Sequence, residues 1–407
     1  FLGWEWTQMA TTPESHFGHK NVILRDIADG EVPDRPIGAG RTSLDAVVRG
    51  MPFASRVLMP LSGLPKPGPY LDFNRYRAEV LAVPDCPRGV DVHELPDDCF
   101  EAAETPRVLF EKLGQWGLRA VVIPHGTSWG IHAPPNSSLD RQLGGGEHDP
   151  RFQRLFEVHS GHGTSEVYRS WRHLSAGADG AAACPEPSAD FTPCCWRAGE
   201  LIEARCSDVP EEECDARVLE ARAFFVEAGL DPRRFSVVPG ATPEEWGECG
   251  QLEDEFLPAY IYRPRMSAQY GLAIGAFGDS PKPARFRYGL IGSTDNHKAR
   301  AGSGYKEFAR KAMGDAWGGR QEFLDTIDPR IEPSPLPVAV DELPEGLGLL
   351  PERGASFYST GGLVAVHAAG RHGEAIFESL ARREVYGTSG DRILLWFDLR
   401  NGEDGVV

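Results

Sequence analysis

The sequence predicts an α/β fold in which strands and helices alternate. Apolar runs typical of strands, His19–Arg25 and Arg119–Pro124, are separated by Pro106–Trp116, whose pattern is that of an amphipathic helix. That helix leads within a few residues into the strand over 119–124. Alternation of this kind favours parallel βα units over a sandwich of two sheets.

The other predicted elements continue this alternation along the chain. Further strands are predicted over Arg154–Val158, Phe286–Ile291, Gly362–Val366 and Arg392–Phe397. Further helices are predicted over Asp215–Gly229, Tyr305–Met313 and Glu374–Glu384. A turn is predicted over Gly387–Gly390, because two glycines enclose two small polar residues.

Composition shifts divide the chain into three parts. Residues 1–330 are predicted to form one large domain, with a Cys-rich insertion over about 170–213. Residues 331–352 are rich in Pro and Glu and are interpreted as a linker or lid. Residues 353–407 are predicted to form a βαβ segment that packs on the large domain.

Charge and hydropathy exclude some partners. The chain has 407 residues, of which 41% are hydrophobic and 25% charged, as in globular proteins. Its net charge of −18 argues against nucleic acid as a partner, because a phosphate backbone would be repelled. No apolar stretch reaches membrane-spanning length, which argues against an integral membrane segment. The charge and hydropathy are compatible with a small-molecule or ester substrate, and the oligomeric state is left open.

The eight cysteines leave two interpretations open. Cys184, Cys194, Cys195, Cys206 and Cys214 lie close together, and no Cys-x-x-Cys pair occurs, which argues against a zinc ribbon. One or two disulfides within 184–214 would suit an exported protein. The alternative is a set of reduced, buried thiols. The clustering slightly favours a periplasmic or extracellular location over the cytoplasm.

Side chains that can bind metals recur at the ends of the apolar runs. The residues concerned are Glu5, His19, His125, a segment from Glu157 to His162, and the pair Asp295 and His297. Parallel strands that close into a barrel bring their carboxyl ends together, so such residues can converge. Carboxylate oxygen and imidazole nitrogen together suit Zn, Mn or Fe. The alternatives are hydrogen-bonded core or surface histidines and, at 295–297, a polar surface turn.

The order of these residues resembles the PHP (polymerase and histidinol phosphatase) superfamily of metal-dependent phosphoesterases. The segments that carry the resemblance are 4–7, 19–25, 123–125, 157–163 and 291–297, and they are most similar to a large branch known only as a domain of unknown function. Segments 184–200 and 377–390 also fit that branch. The resemblance implies a distorted (β/α) barrel with long loop insertions over 1–330.

The resemblance also implies a set of metal ligands. It assigns Glu5, His19, His125, Asp295 and His297 to a site for two or three divalent metal ions, Zn, Mn or Fe, in the full-length protein. A metal-bound water would then act as the nucleophile, so no side-chain nucleophile is assigned. The superfamily also has a His-x-His motif and an Asp-His pair on early strands, and neither precedes Glu5 here. We therefore expect an amino-terminally truncated member, with its first strands missing, weak metal binding and reduced stability.

Four residues are predicted to contact the substrate. His159, His162 and Glu166 follow a predicted strand in Gly-rich backbone that permits a close approach, and Arg300 could meet an anionic group. The alternatives are a capped loop with local hydrogen bonds for the first three, and a solvated helix start for Arg300.

Two functions remain open from the sequence. The first is a metal-dependent hydrolase, phosphoesterase-like and impaired in this truncated chain. The second is a non-catalytic exported module that binds a glycan or another anionic ligand. In the second, the tryptophans Trp4, Trp6, Trp129, Trp171 and Trp196 would stack on sugars, although core packing is their commoner use.

Overall fold

The structure is a computed structural model. It describes residues 1–8, 10, 12–26, 28, 32, 35–40, 72, 75–76, 78–79, 81–128, 133–134, 136–160, 163–164, 166, 175–176, 181–189, 191–230, 237–241, 243–246, 249, 263–277, 282–295, 332–339, 342, 361–389 and 392–397. The predicted helix Tyr305–Met313 lies outside the described residues.

Strands and helices alternate along the described chain. The strands are β1 (Leu2–Trp6), β2 (Lys20–Leu24), β3 (Ala120–Pro124), β4 (Leu155–Ser160), β5 (Gly163–Thr164), β6 (Ser175–Ala176), β7 (Ala182–Ala183), β8 (Gly289–Gly292), β9 (Leu363–Val366) and β10 (Val385–Thr388). The helices are α1 (Pro106–Gln115), α2 (Asp140–Gly144), α3 (Cys194–Glu203), α4 (Glu211–Leu230), α5 (Pro243–Trp246), α6 (Ala268–Ala273) and α7 (Gly373–Arg382), with short 3-10 turns at Val92–Glu94 and Pro264–Met266.

The first sheet has the strand order β1–β2–β3 and is antiparallel throughout. Lys20 is opposite Trp6 on one side and Pro124 on the other. The prediction of parallel pairing is wrong for these strands. Parallel neighbours need a crossover of a dozen or more residues, usually a helix, and no helix is described within residues 7–19, which join β1 to β2.

The two faces of this sheet are covered by different elements. Trp6, Val22 and Val122 share a core cluster with α1, which buries Leu109 and Leu113. Successive side chains of a strand point to opposite faces, so the neighbouring residues face the other way. There Ile23, Val121 and Ile123 pack with Leu155, Ile291, Phe377 and Leu380 from β4, β8 and α7.

Local sequence explains where α1 begins and ends. Thr105 caps its first turn, since its hydroxyl oxygen accepts a hydrogen bond from the Val108 N–H (3.5 Å), and Pro106 occupies the first helical turn. Gly117 follows with a φ of 66°, a conformation that suits glycine after a helix end.

Strands β4 and β8 pair in parallel, and β5 pairs antiparallel to β4. The predicted strand Phe286–Ile291 is shorter than expected, since β8 begins at Gly289. Strands β9 and β10 form an antiparallel pair with α7 between them in sequence. β10 lies against β8 so closely that a Cβ atom at Gly387 would come within 2.3 Å of the Gly292 nitrogen.

Two predictions for the last segment are wrong. Arg392–Phe397 does not form a strand, and Ile393, Leu394, Trp396 and Phe397 are all exposed. Gly387 and Thr388 belong to β10, so the predicted turn is wrong for these two residues. No ladder between the described strands closes the sheets into a barrel, so the distorted (β/α) barrel stays a prediction.

A cystine-rich unit, defined here as residues 184–249, surrounds helices α3 and α4. All eight cysteines form disulfides, so the alternative of reduced thiols is wrong. The pairs are Cys86–Cys99, Cys184–Cys195, Cys194–Cys249 and Cys206–Cys214, of which the second and fourth lie within 184–214 as expected. Disulfides of this number are typical of oxidising compartments.

The described part of the Pro-rich segment, residues 332–339, is attached to the cystine-rich unit. The Arg205 guanidinium donates to the Pro239 carbonyl (2.7 Å) and to the Ser334 carbonyl (3.1 Å). The Val338 N–H donates to the Val237 carbonyl at 2.9 Å. Among the helices described, none has both the length and the apolar character needed to cross a membrane.

Candidate metal centre

Three ligand-type side chains meet at one end of the first sheet. Glu5 lies near the carboxyl end of β1, His125 directly follows β3, and His19 directly precedes β2. Because β2 runs opposite to its neighbours, its amino end lies beside their carboxyl ends. His125 therefore lies at the carboxyl end of its strand, as expected. His19 lies instead at the amino end of β2, because β2 is antiparallel to its neighbours.

These three side chains project from the same face of the sheet. Trp6, Lys20 and Pro124 are neighbours in the register and alternate with Glu5, His19 and His125. Since Trp6 packs under α1, the three ligand-type residues face the side on which β4, β8 and α7 pack. We call Glu5, His19 and His125 the triad.

The atoms of the triad are close enough to share one ion. One ligand atom from each residue lies within 4.8 Å of the other two. Glu5 Oε1 is 2.9 Å from His19 Nδ1 and 3.7 Å from His125 Nε2. The two imidazole rings are edge-on, with centroids 5.6 Å apart. One carboxylate oxygen and two imidazole nitrogens suit Zn, Mn or Fe, so the residues present fit a divalent ion.

The surroundings of Glu5 favour its ionised form. Burial acts to raise its pKa, but the His19 hydrogen bond, the charges of His125 and His19 and a Thr7 hydrogen bond outweigh burial and lower the pKa to about 2. The Thr7 hydroxyl donates to Glu5 Oε1 at 2.9 Å. A carboxylate that stays charged under most conditions is a suitable ligand for a cation.

Two further acidic residues belong to the second sheet: Glu157 lies on β4, and Asp295 follows β8. Glu157 is fully buried, and the Ser293 hydroxyl donates a hydrogen bond to its Oε2. Burial and the charge of Asp295 raise the pKa of Glu157 to about 8, with a smaller contribution from Glu5, while hydrogen bonds from Ser293 and Ser160 act in the opposite direction. Glu157 is therefore a neutral carboxyl group at neutral pH, near enough to Asp295 and Glu5 for their charges to affect its pKa.

The sequence alone assigns no individual role to Glu157, although the segment from Glu157 to His162 contains ligand-type residues. Burial of a carboxyl group depends on which strands pack around it, and the sequence does not show that packing directly. The signal that could have found it is alternation along β4. Leu155 and Glu157 lie on the same face of that strand, and Leu155 belongs to the cluster that covers the triad face of the first sheet.

Asp295 is not part of the group of ligand atoms formed by the triad. It follows β8 with a φ of 49°, a left-handed conformation that Asp adopts more readily than most residues. Its effect on the pKa of Glu157 places its charge near that carboxyl group. His297, the other half of the predicted pair, lies outside the described residues.

The predicted substrate-contacting residues have different surroundings. His159 is buried, and its ring lies against Gly362, where an added Cβ would come within 2.9 Å of the His159 Cδ2 atom. Glu166 accepts hydrogen bonds from the Ala268 and Gln269 N–H groups (2.8 and 2.9 Å) at the start of α6. These hydrogen bonds join segments far apart in sequence, so they are not the local hydrogen bonds of the alternative interpretation, and the substrate contact of Glu166 stays a prediction. His162 and Arg300 lie outside the described residues.

Two of the tryptophans proposed for sugar stacking are part of the core cluster under α1. The Trp4 indole N–H donates to the Ile37 carbonyl and that of Trp6 to the Ala103 carbonyl, both at 2.9 Å. The Arg222 guanidinium covers the ring of Trp196 at 3.5 Å. Trp129 and Trp171 lie outside the described residues.

Comparison with known proteins gives one similarity, over the second half of the chain. Residues 265–398 match the family described as Protein of unknown function (DUF3604). No curated protein and no solved structure matches the chain. The matched residues include β8, Asp295, β9, α7 and β10 and exclude the triad. The chain is therefore similar to DUF3604 over 265–398, about a third of its length.

Proposed function

We propose that this chain belongs to a metal-dependent hydrolase of the PHP type, which acts on phosphoesters or related esters. The observation that carries the proposal is the triad: a charged carboxylate and two imidazoles whose ligand atoms lie within 4.8 Å of one another. A divalent ion at such a site supplies Lewis-acid chemistry and an activated water. A distorted (β/α) barrel that brings Asp295 and His297 to the same centre is part of this proposal.

The residues of the chain have separate roles in the proposed reaction. Glu5, His19 and His125 bind the ion, and Thr7 orients Glu5 by its hydrogen bond to Oε1. Glu157 holds a proton at neutral pH and lies near Glu5 and Asp295. A neutral carboxyl group in that position can donate a proton to the oxygen of a leaving group.

We also propose that the protein works in an oxidising compartment, either the periplasm or the extracellular space. The support is that all eight cysteines are paired, which would not persist in a reducing cytosol. The net charge of −18 supports a small-molecule substrate over a nucleic acid.

The test compares metal content and ester hydrolysis in the protein and its variants. Glu5→Gln removes one anionic ligand and is expected to lower the metal affinity by about 1000-fold, since even residues that only orient a ligand contribute about 10- to 100-fold. Asp295→Asn is expected to lower hydrolysis of a panel of phosphate and carboxylate esters. Metal content is measured by mass spectrometry after dialysis.

The matched control is Glu111→Gln, an exposed carboxylate on α1, which covers the opposite face of the first sheet. It is expected to retain wild-type metal content and activity. Stoichiometric metal in Glu5→Gln, or full activity in both Glu5→Gln and Asp295→Asn, would contradict the proposal.

A further inference from the structure

A group of buried polar side chains near the triad has atoms without a hydrogen-bond partner. In the described part of the chain these atoms are both ring nitrogens of His16, the hydroxyl oxygens of Ser137 and Ser138, Gln142 Oε1 and Arg263 Nη2. Each of the five side chains belongs to a residue at most 7% exposed. Buried polar groups are nearly always hydrogen-bonded, so five such residues in one region indicate a partner that brings its own polar atoms.

Hydrogen bonds attach the segment that carries the two serines to the turn that begins at Arg263. Arg263 Nε donates to the Ala133 carbonyl at 2.9 Å. The Leu139 N–H donates to the Arg265 carbonyl at 3.0 Å. Ser137 and Ser138 lie between these two attachment points, so both hydroxyl groups are carried on backbone held against the turn.

His16 and Gln142 lie in the same region. Gln142 Nε2 donates to the carbonyl of Phe17, the residue after His16, at 3.2 Å. Burial lowers the pKa of His16 to about 3, and the positive charges of His19, Lys20 and Arg263 contribute to the shift. His16 is therefore a neutral imidazole close to both His19 of the triad and the Arg263 guanidinium.

The backbone around the triad connects it to this polar group. The Thr127 hydroxyl, two residues after His125, donates to the Met266 carbonyl at 2.6 Å. A Cβ at Gly18, next to His19, would lie 3.7 Å from Thr127 Cγ2 and 3.8 Å from His16 Nε2. The segments that carry His19 and His125 therefore contact those that carry His16 and Arg263.

The charge of Arg263 lacks the compensation that a buried charge receives elsewhere in this protein. The buried Glu101 carboxylate is paired with Arg35 (3.1 Å) and with Lys112 (2.9 Å). Arg263 forms no ion pair with a described carboxylate, and burial lowers its pKa to about 10, so the guanidinium stays charged at neutral pH. A buried cation of this kind is costly unless an anion accompanies it.

We propose that Arg263, His16, Ser137 and Ser138 form an oxyanion-binding subsite beside the triad, which holds a phosphate, sulfate or carboxylate group of the substrate. The assignment of this anion to a substrate rests on the proposed hydrolase function. The binding of an anion at these residues does not depend on that function. The guanidinium, the imidazole N–H and the two hydroxyl groups supply donors. Gln142 Oε1 accepts from a hydroxyl group of the ligand or of a serine.

Thermal unfolding in the presence of EDTA tests anion binding without a metal. Chloride is replaced by phosphate, sulfate or acetate at constant ionic strength. Phosphate or sulfate at about one hundred times its dissociation constant is expected to raise the Tm of the wild type by about 3 °C, because the anion binds the folded state alone. A wild-type Tm that responds to none of the three anions would overturn the inference.

Two arginines on the same turn provide a matched pair of variants. Arg263→Gln is expected to abolish the rise in Tm. Arg265→Gln is expected to keep it, because Arg265 is exposed and lies 3.5 Å from Asp140. An equal response in both variants overturns the proposal. If Arg263→Gln does not fold, the double variant Ser137→Ala and Ser138→Ala replaces it. The subsite is supported if this double variant needs a several-fold higher anion concentration than the wild type for the same rise in Tm. The proposal is overturned if the required anion concentration is unchanged.

The variant Glu5→Gln distinguishes a failure of the anion-binding inference from a failure of the proposed hydrolase function. The Arg263-dependent rise in Tm is expected to persist in Glu5→Gln, and its loss would show that the anion binds at the triad, which overturns the inference. A failure of the hydrolase proposal alone would leave the anion response intact. Phenyl phosphate is compared with inorganic phosphate, since a substrate subsite has to accept an esterified anion; a response to inorganic phosphate alone overturns the substrate role.

Discussion

Glu5 and Glu157 are two carboxyl groups in neighbouring regions of the molecule with opposite electrostatic surroundings. Glu5 lies on the first sheet beside two imidazoles and a hydroxyl donor, and its pKa is lowered to about 2. Glu157 lies on β4 near Asp295, and its pKa is raised to about 8. Burial acts to raise both pKa values, so the difference comes from the partners: hydrogen bonds and imidazole charges outweigh burial at Glu5, whereas the charge of Asp295 adds to burial at Glu157.

The largest expected effect is on the pH dependence of stability without metal. Glu157 holds its proton more tightly in the folded than in the unfolded chain, so its contribution to the free energy of unfolding is complete below about pH 4.5 and is lost as the pH rises through about 8. That loss amounts to about 5 kcal/mol, and Glu157→Gln is expected to remove it. Urea unfolding in EDTA at several pH values measures the change.

The control for this measurement is Glu5→Gln, because the stability that Glu5 contributes is lost at acidic rather than at alkaline pH. A carboxyl group with a lowered pKa contributes stability that is present above about pH 4.5 and lost as the pH falls through about 2. Glu5→Gln should therefore change the acid side of the profile and keep most of the slope between pH 5 and 8, because Glu5 is only a small contributor to the raised pKa of Glu157. Identical profiles for the two variants would show that the two surroundings are not opposite.

A smaller effect is expected when the hydroxyl donor of each carboxyl group is removed. Thr7→Val takes away the hydrogen bond that orients Glu5 and should lower the metal affinity by about 10-fold. Ser293→Ala takes away the donor to Glu157 and should change the metal affinity by less than about 2-fold, because Glu157 is neutral at pH 7. Titration calorimetry with Zn and Mn distinguishes the two, and an equal loss in both would contradict the separate roles.

The smallest effect is expected at Glu166, which the sequence predicts to contact the substrate. Its carboxylate accepts two backbone N–H groups at the start of α6, so Glu166→Gln should cost about 1 kcal/mol of stability and leave the metal affinity unchanged. Denaturant unfolding and kcat/KM are measured on the same preparation. A tenfold fall in kcat/KM at unchanged stability would instead support a substrate contact.

The sequence predicted several elements to within a few residues because their patterns are local. Strands β2, β3 and β4 and helices α1 and α7 are each set by nearby apolar spacing and by caps such as Thr105. Strand direction in the first sheet was predicted wrongly, because pairing depends on distant segments such as Lys20 and Pro124. Alternation of helix and strand in sequence does not determine which strands become neighbours.

The triad residues were all predicted as ligands, and the structure brings Glu5, His19 and His125 together. Their role as metal ligands stays a prediction, because the structure shows only that their ligand atoms are close together. Glu157 and Arg263 were not predicted as site residues, because their properties come from burial among other segments rather than from their own neighbours in sequence. The exposure of 393–397 was also missed, since an apolar run is normally expected to be buried.

Glu5 lies within the antiparallel ladder, opposite Asn21, and His19 and His125 lie just past the end of that ladder, with the His125 N–H donating to the His19 carbonyl at 3.3 Å. The spacing of neighbouring strands therefore sets the spacing of the ligands, and a cation entering the site has little loop entropy to overcome. An ion bound by the side chains would in turn make the backbone of these strands more rigid. Amide hydrogen exchange in β2, the central strand, should slow when an ion binds, so the exchange rate of its backbone would report occupancy at the side chains.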